Sequence, residues 1–184
     1  YKKSLIFCTL LFIFSGCSTK DINLEEKELK KSNFKKIETK YFDLENQYII
    51  FALEAENQRL FYDAKEAYLK LFEKTNNYEY FVKYLSIATQ LKEYAAVKEK
   101  VLKYSIKNIE EEETILRIYT FSLFKLQEKE ESILNAIKLV SLYKNSVNYE
   151  LLGSIYFEDK QYIKAYESFN NAFTLNDSSN TLLT

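Results

Sequence analysis

The chain of 184 residues contains no histidine, the side chain most often used to move protons near neutral pH. Histidine-based triads, imidazole acid–base chemistry and histidine zinc sites are therefore excluded. The reactive side chains that remain are two cysteines and many carboxylates. Cys8 lies inside a ten-residue apolar run, Leu5 to Phe14, and Cys17 follows the small residues Ser15 and Gly16. The densest carboxylates are Glu110 to Glu113, and Glu128, Glu130 and Glu131 around Lys129. They read as inter-helix or inter-repeat turns, where a solvated loop or a favourable charge near a helix start is far commoner than catalysis. The only glycines are Gly16 and Gly153, so no glycine-rich phosphate loop exists. These residue types predict no enzymatic activity, no metal, no cofactor and no small-molecule substrate.

One covalent chemistry remains, at Cys17. Lys2 and Lys3 form a short basic region ahead of the apolar run. Ten apolar residues are too few for a membrane span of about 20, and they fit a secretory signal. The sequence Phe14-Ser15-Gly16-Cys17 resembles a bacterial lipobox, in which small side chains precede the cut and the cysteine thiol takes a diacylglycerol. The resemblance implies a signal peptide over residues 1–16, cleavage before Cys17 and acylation of the new amino group. Several acyl chains, at about 0.8 kcal/mol per buried methylene, hold a stable anchor where one would be marginal. Cys8 would leave with the signal. Cys17 would then be the sole cysteine, with no disulfide within the mature chain. In Gram-negative lipoproteins an aspartate after the cysteine resembles an inner-membrane retention signal. Ser18 instead favours the outer membrane, facing the periplasm.

Residues 17–42 read as the lipidated cysteine and a charged tether, rich in Lys, Glu, Asn and Ser. Fully extended, such a stretch reaches roughly 80 Å. Alternatively its second half is helical, with Leu29, Phe34, Ile37 and Phe42 capping the first repeat. Lys30-Lys31 and Lys35-Lys36 form the one dense basic patch, interleaved by Glu25, Glu26, Glu28 and Glu38. It reads as a solvated face, or as a surface for anionic headgroups beside the anchor. Loss of Lys2 and Lys3 from the 26 basic residues leaves 24 against 27 acidic, a net charge of −3, which disfavours nucleic acid.

The elements that hold everything else are legible from residue 149 onward. Tyr149-x2-Leu152-Gly153-x2-Tyr156 sets one stripe at helical spacing, and Ala165-x3-Phe169-x2-Ala172 sets a second. A polar turn, Glu158 to Gln161, separates them, so the pattern predicts two antiparallel helices. Gly153 costs its helix about 1 kcal/mol relative to alanine, which a close helix–helix approach would justify, with Ala165 as the matching small residue. Scanning backwards gives Ala64-x3-Tyr68, Val97-x3-Val101 and Ser132-x3-Ala136, at anchor spacings of 33, 35 and 33 residues. The first helices carry Tyr48-x2-Phe51-Ala52, Phe81-x2-Tyr84-Leu85 and Leu116-x2-Tyr119-Thr120. Leu85, Thr120 and Ser132 are larger or more polar than the small residues usual there.

This pattern resembles the tetratricopeptide repeat, the roughly 34-residue helix–turn–helix unit with aromatic-x2-Leu-Gly-x2-Tyr and Ala-x3-Phe. The resemblance implies an all-α, tetratricopeptide-like α-solenoid of about four repeats over residues 43–179, at about 45–78, 78–111, 113–146 and 146–179. Near-absence of glycine and lack of proline agree with helices. Asn176 to Ser179 read as the close of the fourth repeat, and Asn180 to Thr184 as the start of a further one, so the chain is expected to continue.

In tetratricopeptide arrays the first helices line a concave groove for protein partners. That register falls on Asn46, Ile49, Leu53, Glu56 and Asn57; on Glu79, Val82, Ser86, Thr89 and Gln90; on Thr114, Arg117, Phe121, Phe124 and Lys125; and on Val147, Glu150, Ser154, Phe157 and Glu158. Arg117, Phe121, Phe124 and Phe157 are the expected partner contacts, with core packing as the competing role for Phe121 and Phe124. The Lys and Asn pattern of carboxylate-clamp repeats is not reproduced. The expectation is a lipid-anchored envelope scaffold or assembly factor. The alternative is an accessory repeat domain of a larger envelope enzyme with its catalytic part beyond residue 184.

Overall fold

A computed structural model describes residues 40–104 and 109–181, with side chains placed over 40–104 and 113–176. The signal segment, Cys17 and the tether as far as residue 39 lie outside the described residues. Among the described residues eight helices succeed one another: α1 Glu45–Asn57, α2 Phe61–Thr75, α3 Tyr78–Gln90, α4 Tyr94–Tyr104, α5 Ile109–Lys125, α6 Lys129–Leu142, α7 Ser146–Glu158 and α8 Tyr162–Thr181. No strand occurs among the described residues.

The helices pair as α1/α2, α3/α4, α5/α6 and α7/α8, and the four turns within pairs are one device used four times. The middle turn residues Arg59, Lys92, Gln127 and Lys160 have φ of 60°, 61°, 62° and 61°. The residue after each donates its N–H to the carbonyl five positions back: Leu60 to Ala55 at 2.8 Å, Glu93 to Ala88 at 2.9 Å, Glu128 to Leu123 at 3.0 Å and Gln161 to Tyr156 at 2.9 Å. This is the closure of a Schellman motif. It is held without glycine, although a left-handed residue with a side chain costs roughly 1–2 kcal/mol. Starts of later pairs are capped instead. Asn77 Oδ1 accepts from Glu79 N at 3.0 Å, and Asn145 Oδ1 accepts from Asn148 N at 3.0 Å.

Each later first helix packs against its own partner helix and the pair before it. α3 lies on α2, α5 on α3 and α4, and α7 on α6 and α5. The largest core cluster runs from Ala52 to Leu123, with stacked Phe72 and Phe81 at 4.5 Å. A second gathers Ala136, Val140, Leu152, Ile155, Tyr156 and Ala165, with Tyr149 half-buried against it. Ala64, Tyr68 and Ala172 are also buried.

Charged pairs mark the first two junctions at equivalent positions. Lys65 Nζ on α2 meets Glu93 Oε2 at 2.7 Å, and Lys98 on α4 meets Glu128. Burial pulls the Lys65 pKa down, but the Glu93 carboxylate outweighs it and holds the ammonium above its ordinary range. Tyr80 donates to Glu45 Oε1 at 2.6 Å, and burial together with that carboxylate pushes the phenol up to about 12.

One expectation shifts: α8 runs unbroken through Asn176 to Thr181, where the sequence reading closes one repeat and opens another. At two places the structure chooses between readings. α5 begins at Ile109, so Glu110 to Glu113 stand at a helix start and not in a loop. The end of the tether lies on the first repeat, as the capping alternative has it for Phe42: Lys40 N donates to Thr75 O at 2.8 Å, and Phe42 packs on Tyr48 at 5.5 Å.

The close approach expected at Gly153 is present, and its partner is Phe169. A Cβ on Gly153 would stand 2.7 Å from Phe169 Cε1 and 2.8 Å from Cδ1. Adding that methyl forces the ring outward, and overpacking of this kind costs typically 1–3 kcal/mol, against about 1 kcal/mol gained in helix propensity. Gly153→Ala is therefore expected to lower stability in urea unfolding. In a Phe169→Ala background the same change raises it by about 1 kcal/mol. Equal effects in both backgrounds would show that the ring does not set the residue at 153.

Candidate functional site

The first helices of the second, third and fourth repeats converge on one open pocket of about 330 Å3. Thr89 of α3, Arg117, Ile118 and Phe121 of α5, and Val147, Glu150, Leu151 and Ser154 of α7 line it. Six of these eight fall in the groove register expected from sequence. Ile118 and Leu151 are the additions; Ile118 stands three residues before Phe121, and Leu151 four after Val147 and three before Ser154, so each shares a helix face with them.

The pocket has an apolar floor and a polar rim. Ile118, Phe121, Val147 and Leu151 supply the floor. Phe121 sets its ring edge-on to Tyr94 of α4 at 6.0 Å, with Lys125 Nζ 5.1 Å from its centroid. The rim offers acceptors. Thr89 Oγ1 donates to Leu85 O and Ser154 Oγ to Glu150 O, each at 2.8 Å, which spends both hydroxyl protons inside their own helices. Glu150 is exposed and makes no ion pair among the described residues.

Arg117 is not a free cation. Its Nη1 donates to Glu113 Oε1 and to Asn148 Oδ1, both at 3.2 Å. Glu113 Oε1 also accepts from Asn145 Nδ2 at 2.6 Å and from Asn148 Nδ2 at 3.1 Å. Asn148 is fully buried and donates to Tyr143 O at 2.8 Å as well. This network fastens α5 to the start of α7 and offsets the guanidinium charge. Of the lining residues, Glu150 is left as the unpaired charge, with the Lys125 ammonium beside the Phe121 ring.

Two expected groove residues lie elsewhere. Phe124 packs half-buried on the second core cluster and faces a separate hollow of about 350 Å3 with Gln127, Lys129 and Ser132. Core packing, its competing role, is where the structure puts it. Phe157 is exposed and sets its ring edge-on to Tyr162 at 5.6 Å across the α7–α8 turn. The carboxylates expected in solvated turns are largely partnered: Glu128 holds Lys98, Glu131 accepts from Tyr119 at 2.9 Å, and Glu113 is the hub above. Sequence reasoning missed Asn148; a polar residue at a core-facing position beside a helix start was the available signal. Among the described residues no group of three Cys, Asp or Glu side chains is placed to hold a metal ion.

No known protein family matches the chain, and no curated protein does either. Among solved structures, MamA (residue 41 to its end) from Desulfovibrio magneticus RS-1 is similar, with a TM-score of 0.61 at 19% identity over 74% of this chain and 77% of that one. The MamA RS-1 ArsTM double mutant gives 0.62 at 18% identity with the same coverage. The fold is a tetratricopeptide-like α-solenoid. At this identity the likeness carries the fold and nothing of the activity.

Loss of the Asn148 amide takes one donor each from Tyr143 O and Glu113 Oε1, which keep Asn145 N and Asn145 Nδ2, and one acceptor from Arg117, at about 0.5–1.5 kcal/mol net for each hydrogen bond. Asn148→Ala is expected to lower the urea midpoint accordingly while an exposed neighbour, Val147→Ala, leaves it nearly unchanged. Equal midpoints for the two variants would remove the network from the account of how α7 is positioned.

Proposed function

We propose that this chain is a cell-envelope lipoprotein whose solenoid holds a protein segment, as a scaffold or assembly factor for an envelope complex. The observation that carries the reading is the pocket built by three successive first helices, where residues of the expected register meet around an apolar floor. Its chemistry favours a segment with an apolar side chain next to a basic one. The floor takes the first. Glu150 and the lone pairs of Thr89 and Ser154 take the second.

A photo-crosslinking residue at Val147 is expected to trap a discrete partner in the native host. The same residue at Leu134, exposed on α6, is expected to trap none of it. Glu150→Lys should reduce the Val147 adduct several-fold, since it turns the rim's charge against a basic segment. Identical adducts from both positions, unaffected by Glu150→Lys, would place binding elsewhere.

The anchor rests on the lipobox resemblance of Phe14 to Cys17. No helix among the described residues is long and apolar enough to cross a membrane. Radiolabelled palmitate is expected to enter the wild-type chain and to be lost in Cys17→Ala. Label that persists in the variant defeats the lipoprotein reading.

A further inference from the structure

We infer that the seam between α5 and α7 reads charge order, and that the segment it takes is extended and runs basic, apolar, polar, acidic, basic. The inference rests on the reading of the pocket as a site for a protein segment. Arg117, Phe121 and Lys125 on α5 stand 33 residues before Glu150, Ser154 and Glu158 on α7, the same spacing as the anchors at 132 and 165. They are equivalent positions of neighbouring first helices and face each other as three rungs across the seam. The cations belong to α5 and the carboxylates to α7. Neither Lys125 nor Glu158 makes an ion pair among the described residues. The same positions hold Val82, Ser86 and Gln90 on α3, and Ile49, Leu53 and Asn57 on α1. Only the seam of α5 and α7 therefore carries charge on both walls.

Room for a ligand lies along the same seam. The pocket ends at Phe121 and Ser154, and the hollow of about 350 Å3 begins at Phe124 and Ile155, so the two follow one another along both helices. From Glu150 to Glu158 the track covers eight helical residues, about 12 Å at 1.5 Å per residue. An extended chain covers that span in four residues at about 3.3 Å each, with side chains alternating between the two walls. Its first, third and fifth residues face α7. There Glu150 and Glu158 take bases, and the lone pairs of Ser154 take a donor between them. Its second and fourth residues face α5. The second falls between Arg117 and Phe121, where Glu113 and Asn148 already engage the guanidinium and the floor is apolar. The fourth falls between Phe121 and Lys125. The ammonium there stands 5.1 Å from the Phe121 centroid and 5.2 Å from that of Phe124, and the rings hold it without supplying a counter-charge. An acid is accepted at that step alone. In the hollow Asp159 is engaged by Lys129 and Gln161, so Glu158 is the carboxylate open to the last base.

The test is isothermal titration calorimetry of the full chain with synthetic peptides capped at both ends. Their cores are Lys-Leu-Ser-Glu-Lys, the charge-inverted Glu-Leu-Ser-Lys-Glu and the acid-free Lys-Leu-Ser-Lys-Lys, each flanked by Gly-Ser. The first core is expected to bind about tenfold tighter than the inverted one and several-fold tighter than the acid-free one. Lys125→Glu should exchange the order of the first and third cores. Glu158→Lys should likewise shift the preference from Lys-Leu-Ser-Glu-Lys to Lys-Leu-Ser-Glu-Glu. Both residues are exposed, so far-ultraviolet circular dichroism should not change. If Lys125→Glu loses helix, Lys125→Gln replaces it and should level the first and third cores without inverting them. Equal affinity of the wild-type chain for all cores overturns the charge order and leaves the pocket as a site for a segment. A preference that survives both charge reversals also overturns the inference, because other residues would then set it. Binding of no core overturns it as well, and the Val147 adduct in the native host decides separately whether the pocket holds a segment.

Discussion

The distance between the two helices of each repeat is fixed by one pair of positions, and the solenoid depends on it. In the fourth repeat the Phe169 ring fills the space a side chain on Gly153 would need. The same two positions hold Ala52 and Tyr68, Leu85 and Val101, and Thr120 and Ala136 in the earlier repeats. Gly153 and Ala52 stand opposite the rings of Phe169 and Tyr68, whereas Leu85 and Thr120 stand opposite the smaller Val101 and Ala136. A smaller side chain on the second helix leaves room for Leu85 and Thr120 where a small residue is usual. The turn between the helices keeps one geometry in all four repeats, closed by the same backbone hydrogen bond, and four different residues adopt the left-handed conformation it requires.

Constant repeats still have to be stacked in one register, and apolar surfaces alone specify register weakly. The polar links between repeats supply it. Lys65–Glu93 and Lys98–Glu128 occupy matching positions at the first two junctions. Such half-exposed pairs contribute little to stability, about 0–1 kcal/mol. Their value is directional, since a slip of one helical position separates the charges. The third junction places Ile133 and Gln161 at those positions, which cannot form an ion pair. There the Arg117, Glu113, Asn145 and Asn148 network does the equivalent work between first helices. Its Asn148 is fully buried, and the network is more demanding, because each member must keep its partner.

Sequence reading reaches the fold through spacing. The anchors at 64, 97, 132 and 165 are apolar or small residues whose period needs no knowledge of their neighbours, and the helices fall where those anchors predict. The groove is harder. Periodicity assigns a residue to a face of its helix, and the tetratricopeptide resemblance implies which face lines the groove; the pocket-lining residues Thr89, Phe121, Val147 and Ser154 come from the two together. It does not assign a partner across a junction. Arg117 reads as an available cation until Glu113 is seen one turn before it and Asn148 is found 31 residues on. Phe124 and Phe157 sit near the ends of their helices, where a small rotation moves a ring from the groove to the α6 side or to the following turn. Glu113 reads as part of a solvated loop or as a charge near a helix start, and the start of α5 at Ile109 decides for the second.

The pocket and the polar network draw on the same first helices. Thr89, Phe121, Val147 and Ser154 meet around one pocket because α3, α5 and α7 stack in one register. The Arg117, Glu113, Asn145 and Asn148 network holds that register at the third junction. The same hydrogen bonds engage the guanidinium that would otherwise face the pocket as a free cation. A residue that fastens α7 to α5 therefore also decides which charge the pocket presents, so the packing of the repeats and the chemistry of the pocket are set by one group of side chains.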